Sequence, residues 1–533
     1  MVDFSFKIFS QKLRKYNNLN SLLELYVKKS FLSSLLILSI LSTFSFAQTK
    51  NGSQAVPNNT TAKTSAKQQG IEVPFVNKTL PNGMEIIVLP DSSVPIVTVE
   101  LDVRNGSFTE SPELNGLSHL YEHMFFKPNK SALVYRCELA KKYNNFAIYE
   151  RENCAETVKL KNQLGSVDYF GNIGQLGINY NGTTQEEVVN YYFTTTSPNL
   201  STAIRVINDA VRYPTFDEDE FVKEKQVVNG EIDRNFGNPF YYLDRALKDK
   251  LYYKYPTRKN PLGTRESILS ATTDKMRLIQ SRYYVPNNSA LVVTGDVKPE
   301  EVFKIAEQNF GSWKRREVDP FKEFPLVEHP PLTRSEGEIV EQPVQNVLIQ
   351  IGWQGPSIGK DDASTYAADV FSFILTQPNS RFQRSLVDSG LVVGADITYY
   401  TQRNVGPITL TLITTPDKAK VALKAAYAEI AQFDKPDYFT DEELENAKTL
   451  LESRDLFSRE QLSSYAHTLG FWWSSTGIDY YRGYYKNLRA VTRNETNKYV
   501  RTYIQNKPHV GIALISTAAQ AKAKITQEDL IGK

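Results

Sequence analysis

The sequence predicts an α+β protein of two homologous mixed α/β-sheet domains that arose by internal duplication. Three observations point there. The 533 residues exceed what one ordinary domain uses and require two or more units of about 100 to 250 residues each. Stretches of alternating apolar and polar residues, as strands show, are interspersed with amphipathic helical stretches. Landmarks of the first half also return in order in the second. Ser197-Pro198 opens a helix followed by Phe216-Asp217-Glu218-Asp219-Glu220-Phe221, and Thr415-Pro416 opens another followed by Phe439-Thr440-Asp441-Glu442-Glu443-Leu444. The two prolines are 218 residues apart, close to a domain length. With 41% hydrophobic and 23% charged residues the chain has ample core, and 62 Lys+Arg against 60 Asp+Glu leave a net charge of +2, too little for a general nucleic-acid binder.

In chain order, Lys28 and Lys29 precede an apolar run over residues 31–46 that closes on Ser45-Phe46-Ala47, the small residues a signal peptidase reads. Residues 1–47 are therefore read as a secretory signal peptide, which places the protein outside the cytoplasm, periplasmic or extracellular. The competing reading is a retained anchor, but the run is 16 residues long where a spanning helix wants about 20, and no permanent span is expected. Residues 48–78 form a flexible tether, rich in Asn, Thr, Lys, Gln and Ala over its first two dozen positions. The N-terminal domain covers 79–312. It begins with the turn Leu80-Pro81-Asn82-Gly83, a strand at 84–89 and an alternating strand at Val97, Val99, Leu101 and Val103, and these two strands are expected to pair. Helices follow at 116–126, 200–211 and 217–235, and a strand at 290–294 after Tyr284-Val285-Pro286-Asn287-Asn288. Pro320, Pro325, Pro330 and Pro331 mark 313–336 as the interdomain linker, leaving 337–533 as the homologous C-terminal domain, where 503–516 matches the Tyr284 strand region. Cys137 and Cys154, 17 residues apart, either close a loop, worth about 3 kcal/mol on the entropic account, or stay as two thiols.

The chemistry is concentrated in His119-Leu120-Tyr121-Glu122-His123. Two imidazoles at i and i+4 share one helical face, with a carboxylate at i+3 beside them. Neutral imidazole suits zinc, and a catalytic zinc site needs a third protein ligand and an open position for water. The acidic helix at 217–235 offers Glu224 and Glu231, seven residues apart and thus on nearly one face. With only five histidines in the chain, such a pair with its glutamate is a specific signal, whereas His329, His467 and His509 are isolated and read as structural.

H-x-x-E-H is the inverzincin signature, and its surroundings resemble the pitrilysin and mitochondrial-processing-peptidase family of zinc metallopeptidases. The resemblance rests on Leu80-Pro81-Asn82-Gly83, Gly106-Ser107, Gly116 through Phe126, the stretch from Glu224 to Glu231, and Pro286-Asn287-Asn288 through Gly295-Asp296, and it covers most of the chain from Thr79 onward. It implies two homologous domains facing each other around a substrate chamber. It also implies Zn2+ as cofactor on His119, His123 and Glu231, Glu122 as general base, and Glu224 as a supporting carboxylate. Residues 174–179 look like the family's edge strand, on which an extended peptide adds by main-chain pairing, with Asn179 against the substrate. The implied activity is that of a zinc endopeptidase acting on peptides or unfolded polypeptide segments. A catalytically silent scaffold subunit is the alternative.

Two departures from the family pattern stand out. The 108 residues from His123 to Glu231 exceed the family interval by roughly thirty, which implies an insertion at about 131–169. The Arg and Tyr that grip the substrate carbonyl in members acting alone fall here on Leu386 and Val393, which donate no side-chain hydrogen bond. Arg381, Arg384, Tyr399 and Tyr400 lie nearby without the expected spacing. An intact metal motif beside a missing grip pair implies the zinc-bearing subunit of a heterodimer, whose homologous partner supplies the Arg and Tyr.

Overall fold

Two mixed sheets with one shared strand order organise the chain, as seen in a computed structural model that describes residues 72–162, 164 and 177–533. The expected signal peptide and most of the tether lie outside the described residues, as do residues 165–169 of the expected insertion. The described residues all belong to one unit, Gln68–Lys533. The first sheet holds β1 (Val76–Thr79), β2 (Glu85–Pro90), β3 (Ile96–Val103), β4 (Asn179–Thr184), β5 (Val189–Thr196) and β6 (Ser289–Gly295), in the order β1-β2-β6-β3-β5-β4. The second holds β7 (Glu336–Glu341), β8 (Val347–Gln354), β9 (Gly394–Tyr399), β10 (Pro407–Thr414) and β11 (Val510–Ile515), in the order β7-β11-β8-β10-β9. Setting β1 aside, the two orders are the same. The single parallel pair also falls in the same place, β2 with β6 and β7 with β11, all other pairs being antiparallel.

The expected pairing of the 84–89 and 97–103 strands is corrected by this topology. β6 lies between them, with Ile87 opposite Val292 and Leu101 opposite Leu291. The physical reason is visible in β2 itself. Ile86, Ile87, Val88 and Leu89 are all buried, so the strand is covered on both faces, as strands in parallel pairing are, and a simple hairpin would leave one face exposed.

Helices cover both faces of each sheet, and the two halves exchange them. On one face of the first sheet, Val88, Val99, Leu101 and Val293 pack with α1 (Leu117–Phe125), α3 (Leu200–Arg212) and α6 (Pro299–Phe310), through Leu120, Ile204 and Val302. α2 (Lys130–Lys142) lies in the region of the expected insertion, where Cys137 and Cys154 are joined in a buried disulfide with Cα atoms 5.2 Å apart. After it come α4 (Glu218–Phe236) and α5 (Pro239–Leu251) in the first half, then α7 (Asp362–Thr376), α8 (Ala419–Ile430), α9 (Asp441–Ser458) and α10 (Leu462–Ser475) in the second. α10 crosses to the other face of the first sheet, where Tyr465, Ala466, Leu469 and Trp473 join a core with Ile87, Leu89, Ala290 and Val292. In return, α5 lays Leu243, Leu247 and Leu251 on Leu348, Val510, Ile512 and Leu514 of the second sheet. Each of these leucines contributes about 1.5–3 kcal/mol by burial. No helix among the described residues is long and apolar enough to cross a membrane.

Candidate metal centre

α1 is set by local chemistry at its start. Gly116 has φ +84, and a Cβ there would come 2.6 Å from the Cα of Gly263, so the close crossing of two backbones excludes other residues. The Glu110 carboxylate accepts the N–H groups of Gly116 and Ser118 at 2.7 Å each and so caps the helix from a distance. α4 starts on Asp217, whose side chain accepts from the Glu220 N–H at 3.0 Å.

With both helices so placed, His119, His123 and Glu231 converge. Nε2 of His119 is 3.3 Å from Nε2 of His123 and 3.4 Å from Oε2 of Glu231, and the last separation, His123 Nε2 to Glu231 Oε2, is 3.7 Å. A tetrahedral zinc with bonds of about 2.0–2.1 Å requires donor spacings of about 3.4 Å. The donor set fits, and among the described residues it is the one such group of three. His123 Nδ1 lies 3.0 Å from Glu224 Oε2, which as an acceptor holds the proton on Nδ1 and turns the Nε2 lone pair toward the other donors. Glu224 is held in turn by Lys127, Nζ to Oε1 at 2.5 Å.

The electrostatics follow from burial and contact. Burial, with His123 close by, pushes His119 down to about 4. Burial also opposes charge on His123, but the neighbouring Glu231 and Glu224 carboxylates outweigh this and hold it above the ordinary histidine value. The nearness of His123 likewise keeps Glu231 below the usual carboxylate range. Glu122 is pushed up to about 7 by burial, with His123 and a hydrogen bond from Thr184 Oγ1 to Oε2 (2.9 Å) pulling the other way.

The cluster opens on a cavity of about 490 Å³, lined on one side by α1 and α4 and on the other by Tyr180 through Thr184 of β4. β4 is the edge strand of its sheet. A Cβ at Gly182 would meet Glu122 Cγ at 2.8 Å, so glycine there is what lets the strand approach the carboxylate. The sequence reading put the edge strand at 174–179; the strand instead begins at Asn179 and runs to Thr184, and 174–176 lie outside the described residues. Asn179 is exposed, pairs with Thr194 and is not among the residues that line the cavity.

The whole lining comes from the N-terminal half. Leu386 is fully buried in the C-terminal core and Val393 is 68% exposed. Tyr399 donates to the Pro356 carbonyl, Tyr400 to Gln185 Oε1, and Arg381 pairs with Glu429, so none of these three reaches the cluster. Lys127, Gly182 and Thr184 were not read from the sequence. Lys127 lies two residues past the C-terminal end of α1, and a glycine inside a strand marks close approach, whereas nothing local singles out Lys127 or Thr184.

Residues 86–163 and 160–264 match the profile described as Insulinase (Peptidase family M16), and residues 270–451 match that of the Peptidase M16 inactive domain. The chain belongs to the M16 peptidase family. This M16 chain is 25% identical over 390 residues to an uncharacterized zinc protease of Bacillus subtilis (strain 168), covering 72% of this chain and 85% of that one. It is 24% identical over 326 residues to a probable mitochondrial-processing peptidase subunit beta of Arabidopsis thaliana, 60% of this chain and 53% of that one. Among solved structures, a protease from Helicobacter pylori matches with a TM-score of 0.68 at 20% identity, over 83% of this chain and 100% of the other, a likeness of fold.

Proposed function

We propose that this M16 chain is a zinc-dependent endopeptidase acting on peptides or unfolded polypeptide segments, with zinc on His119, His123 and Glu231. The observation that carries this reading is the convergence of three donor atoms, 3.3 to 3.7 Å apart, beside a buried Glu122 and an open cavity. Zinc held there would supply Lewis acidity, polarising a carbonyl and acidifying a water. Glu122, pushed up to about 7, is suited to take a proton from the attacking water and deliver it to the leaving amine. Glu224 orients His123 through Nδ1, and the ion pair with Lys127 holds Glu224 in place. The free edge of β4 offers main-chain groups to an extended substrate, with Asn179 exposed at its start to meet residues beyond the cavity.

The same reading makes the chain the zinc-bearing subunit of a heterodimer, supported by Leu386 and Val393 standing where a donor pair is needed. Export to the periplasm or beyond follows from Lys28 through Ala47. The match of 270–451 to an inactive domain favours a second reading, a silent scaffold subunit, but that half contributes none of the donors. Zinc content and cleavage of an unfolded peptide, measured for the wild type and Glu122→Gln with and without a co-expressed homologue, separate the two. The peptidase reading expects one zinc in both proteins and a loss of kcat of about 10²–10⁴ in the variant. Stoichiometric zinc with no cleavage in any combination would leave the scaffold.

A further inference from the structure

The C-terminal half sends no side chain to the cavity, yet it holds the strand that lines it. β4 and β5 are joined by a tight turn in which the Gln185 N–H bonds the Val188 carbonyl. Each of the next three side chains is tied down. Tyr400 Oη donates to Gln185 Oε1 at 2.8 Å, Lys248 lies 3.2 Å from Glu186 Oε1, and the Glu187 carboxylate accepts the backbone N–H groups of Arg403 (2.8 Å) and Asn404 (3.1 Å). The Glu186 carbonyl also accepts from the Phe108 N–H at 3.0 Å, and Gly106 passes so close to this turn that a Cβ would strike the Gln185 and Glu186 carbonyls.

The gripping loop, residues 400–405 between β9 and β10, is itself over-determined. Val405 has φ +59, a left-handed conformation that a β-branched residue keeps only where the surroundings enforce it. They do so here. The Val405 N–H donates to Ser357 Oγ, and its carbonyl accepts from Tyr252 Oη at 2.9 Å and Lys259 Nζ at 3.1 Å. Lys259, buried at 2% exposure, also donates to the Asn404 carbonyl at 2.8 Å and to the Gln402 side chain. A buried lysine with three acceptors from one short segment fixes the loop whose N–H groups capture Glu187.

We propose that this C-terminal loop is a positioning clamp for the proton-transfer residue: by gripping the turn 185–187 it sets the preceding Thr184 hydroxyl against Glu122. The proposal rests on the peptidase reading, and Glu187 and Tyr400 are its positioning residues, acting through Thr184. Gln at 187 would present one acceptor and one donor to two N–H groups, breaking half of the grip without changing shape. Displacements below an ångström at a reacting group reach the scale of tenfold and more in rate.

The test uses the zinc-loaded full chain, in whichever assembly is active, with an internally quenched unfolded peptide as probe. Glu187→Gln is expected to lower kcat about tenfold and the gentler Tyr400→Phe about threefold, with KM and zinc stoichiometry unchanged. In a Thr184→Val background the Glu187→Gln loss should largely vanish, because the contact through which it acts is already gone. Amide exchange in residues 180–188 should quicken in Glu187→Gln, a readout that needs no turnover. A wild type that cleaves together with a Glu187→Gln that cleaves equally well, or losses that multiply fully in the Thr184→Val background, would overturn the clamp alone. A wild type that cleaves nothing would overturn the peptidase reading and the clamp with it.

Discussion

The two halves of this chain share a strand order, a parallel pair in the same place and a helix pair beside each sheet, yet among the described residues only one half gathers side chains that could hold a metal. In the N-terminal half α1 meets α4 over two histidines and two glutamates. In the C-terminal half α7 meets α9 through Phe371, Leu375, Leu444 and Ala447. The helix caps Asp217 and Thr440 align α4 with α9, which puts Ala447 where α4 has Glu224 and Arg454 where it has Glu231. Arg454 stacks over Phe373 instead of reaching for a histidine. The lesson is that backbone architecture is neutral toward chemistry, and a few residues at one helix crossing decide whether the crossing is a core or a site.

The contrast extends to the exchanged helices. Beneath α10 the first sheet buries Glu100 and Asp102 completely, with Glu100 Oε2 2.5 Å from His467 Nδ1. Beneath α5 the second sheet shows Leu348, Gln350 and Gly352 on the matching strand, with no carboxylate. Burial pushes Glu100 up to about 8 and Asp102 above its usual range, while burial lowers His467.

The comparison can be broken most severely at the ligands. Glu231→Gln should abolish stoichiometric zinc and, with it, cleavage, whereas Arg454→Gln at the matching place in the other half should leave both as they are; metal analysis after dialysis decides. Glu224→Gln should weaken zinc binding by about 10- to 100-fold without abolishing it, as read by chelator competition. Next in size is the exchange itself. Leu247→Ala, a change in the N-terminal half, should destabilise the C-terminal sheet by about 2–5 kcal/mol, seen as lost amide protection in β11 and a lower midpoint of one shared unfolding transition. Protection lost only in the first sheet would mean that the halves fold independently.

The smallest effect concerns pH. A carboxyl raised in the folded state from 4.5 to about 8 binds its proton more tightly when folded, so its contribution is intact below about 4.5 and is lost as pH rises through about 8. Glu100→Gln, which removes the titrating group without changing shape, should therefore match the wild type near pH 4 and exceed it at pH 9, where the wild type has lost that contribution. Denaturant midpoints at the two pH values measure this, and a gain of equal size at both would locate the effect elsewhere.

Much of the site was legible because it is local. The spacing of His119, Glu122 and His123 already places them on one turn, and the seven-residue separation of Glu224 and Glu231 places both on one stripe. The partners that complete the site come from elsewhere: Thr184 and Gly182 arrive on a strand about sixty residues away, and Glu110 caps α1 from a separate turn. The strand and helix spans were largely readable from periodicity, and the duplication from recurring landmarks. The pairing of β2 was not, because adjacency in sequence suggests a hairpin while the two-sided burial of β2 requires a neighbour from 200 residues further on.

By itself the sequence determined several of the helices and strands around the motif, that the plan occurs twice, and which side chains could bind a metal, because periodicity and i, i+4 spacing act within a few residues. Only the tertiary structure decided that α5 and α10 trade places, that β6 divides β2 from β3, and that a loop of the ligand-free half grips the turn beside Glu122. An apolar stripe states that a helix must be covered without stating by which sheet. That choice is made by packing and hydrogen-bond satisfaction over the whole molecule.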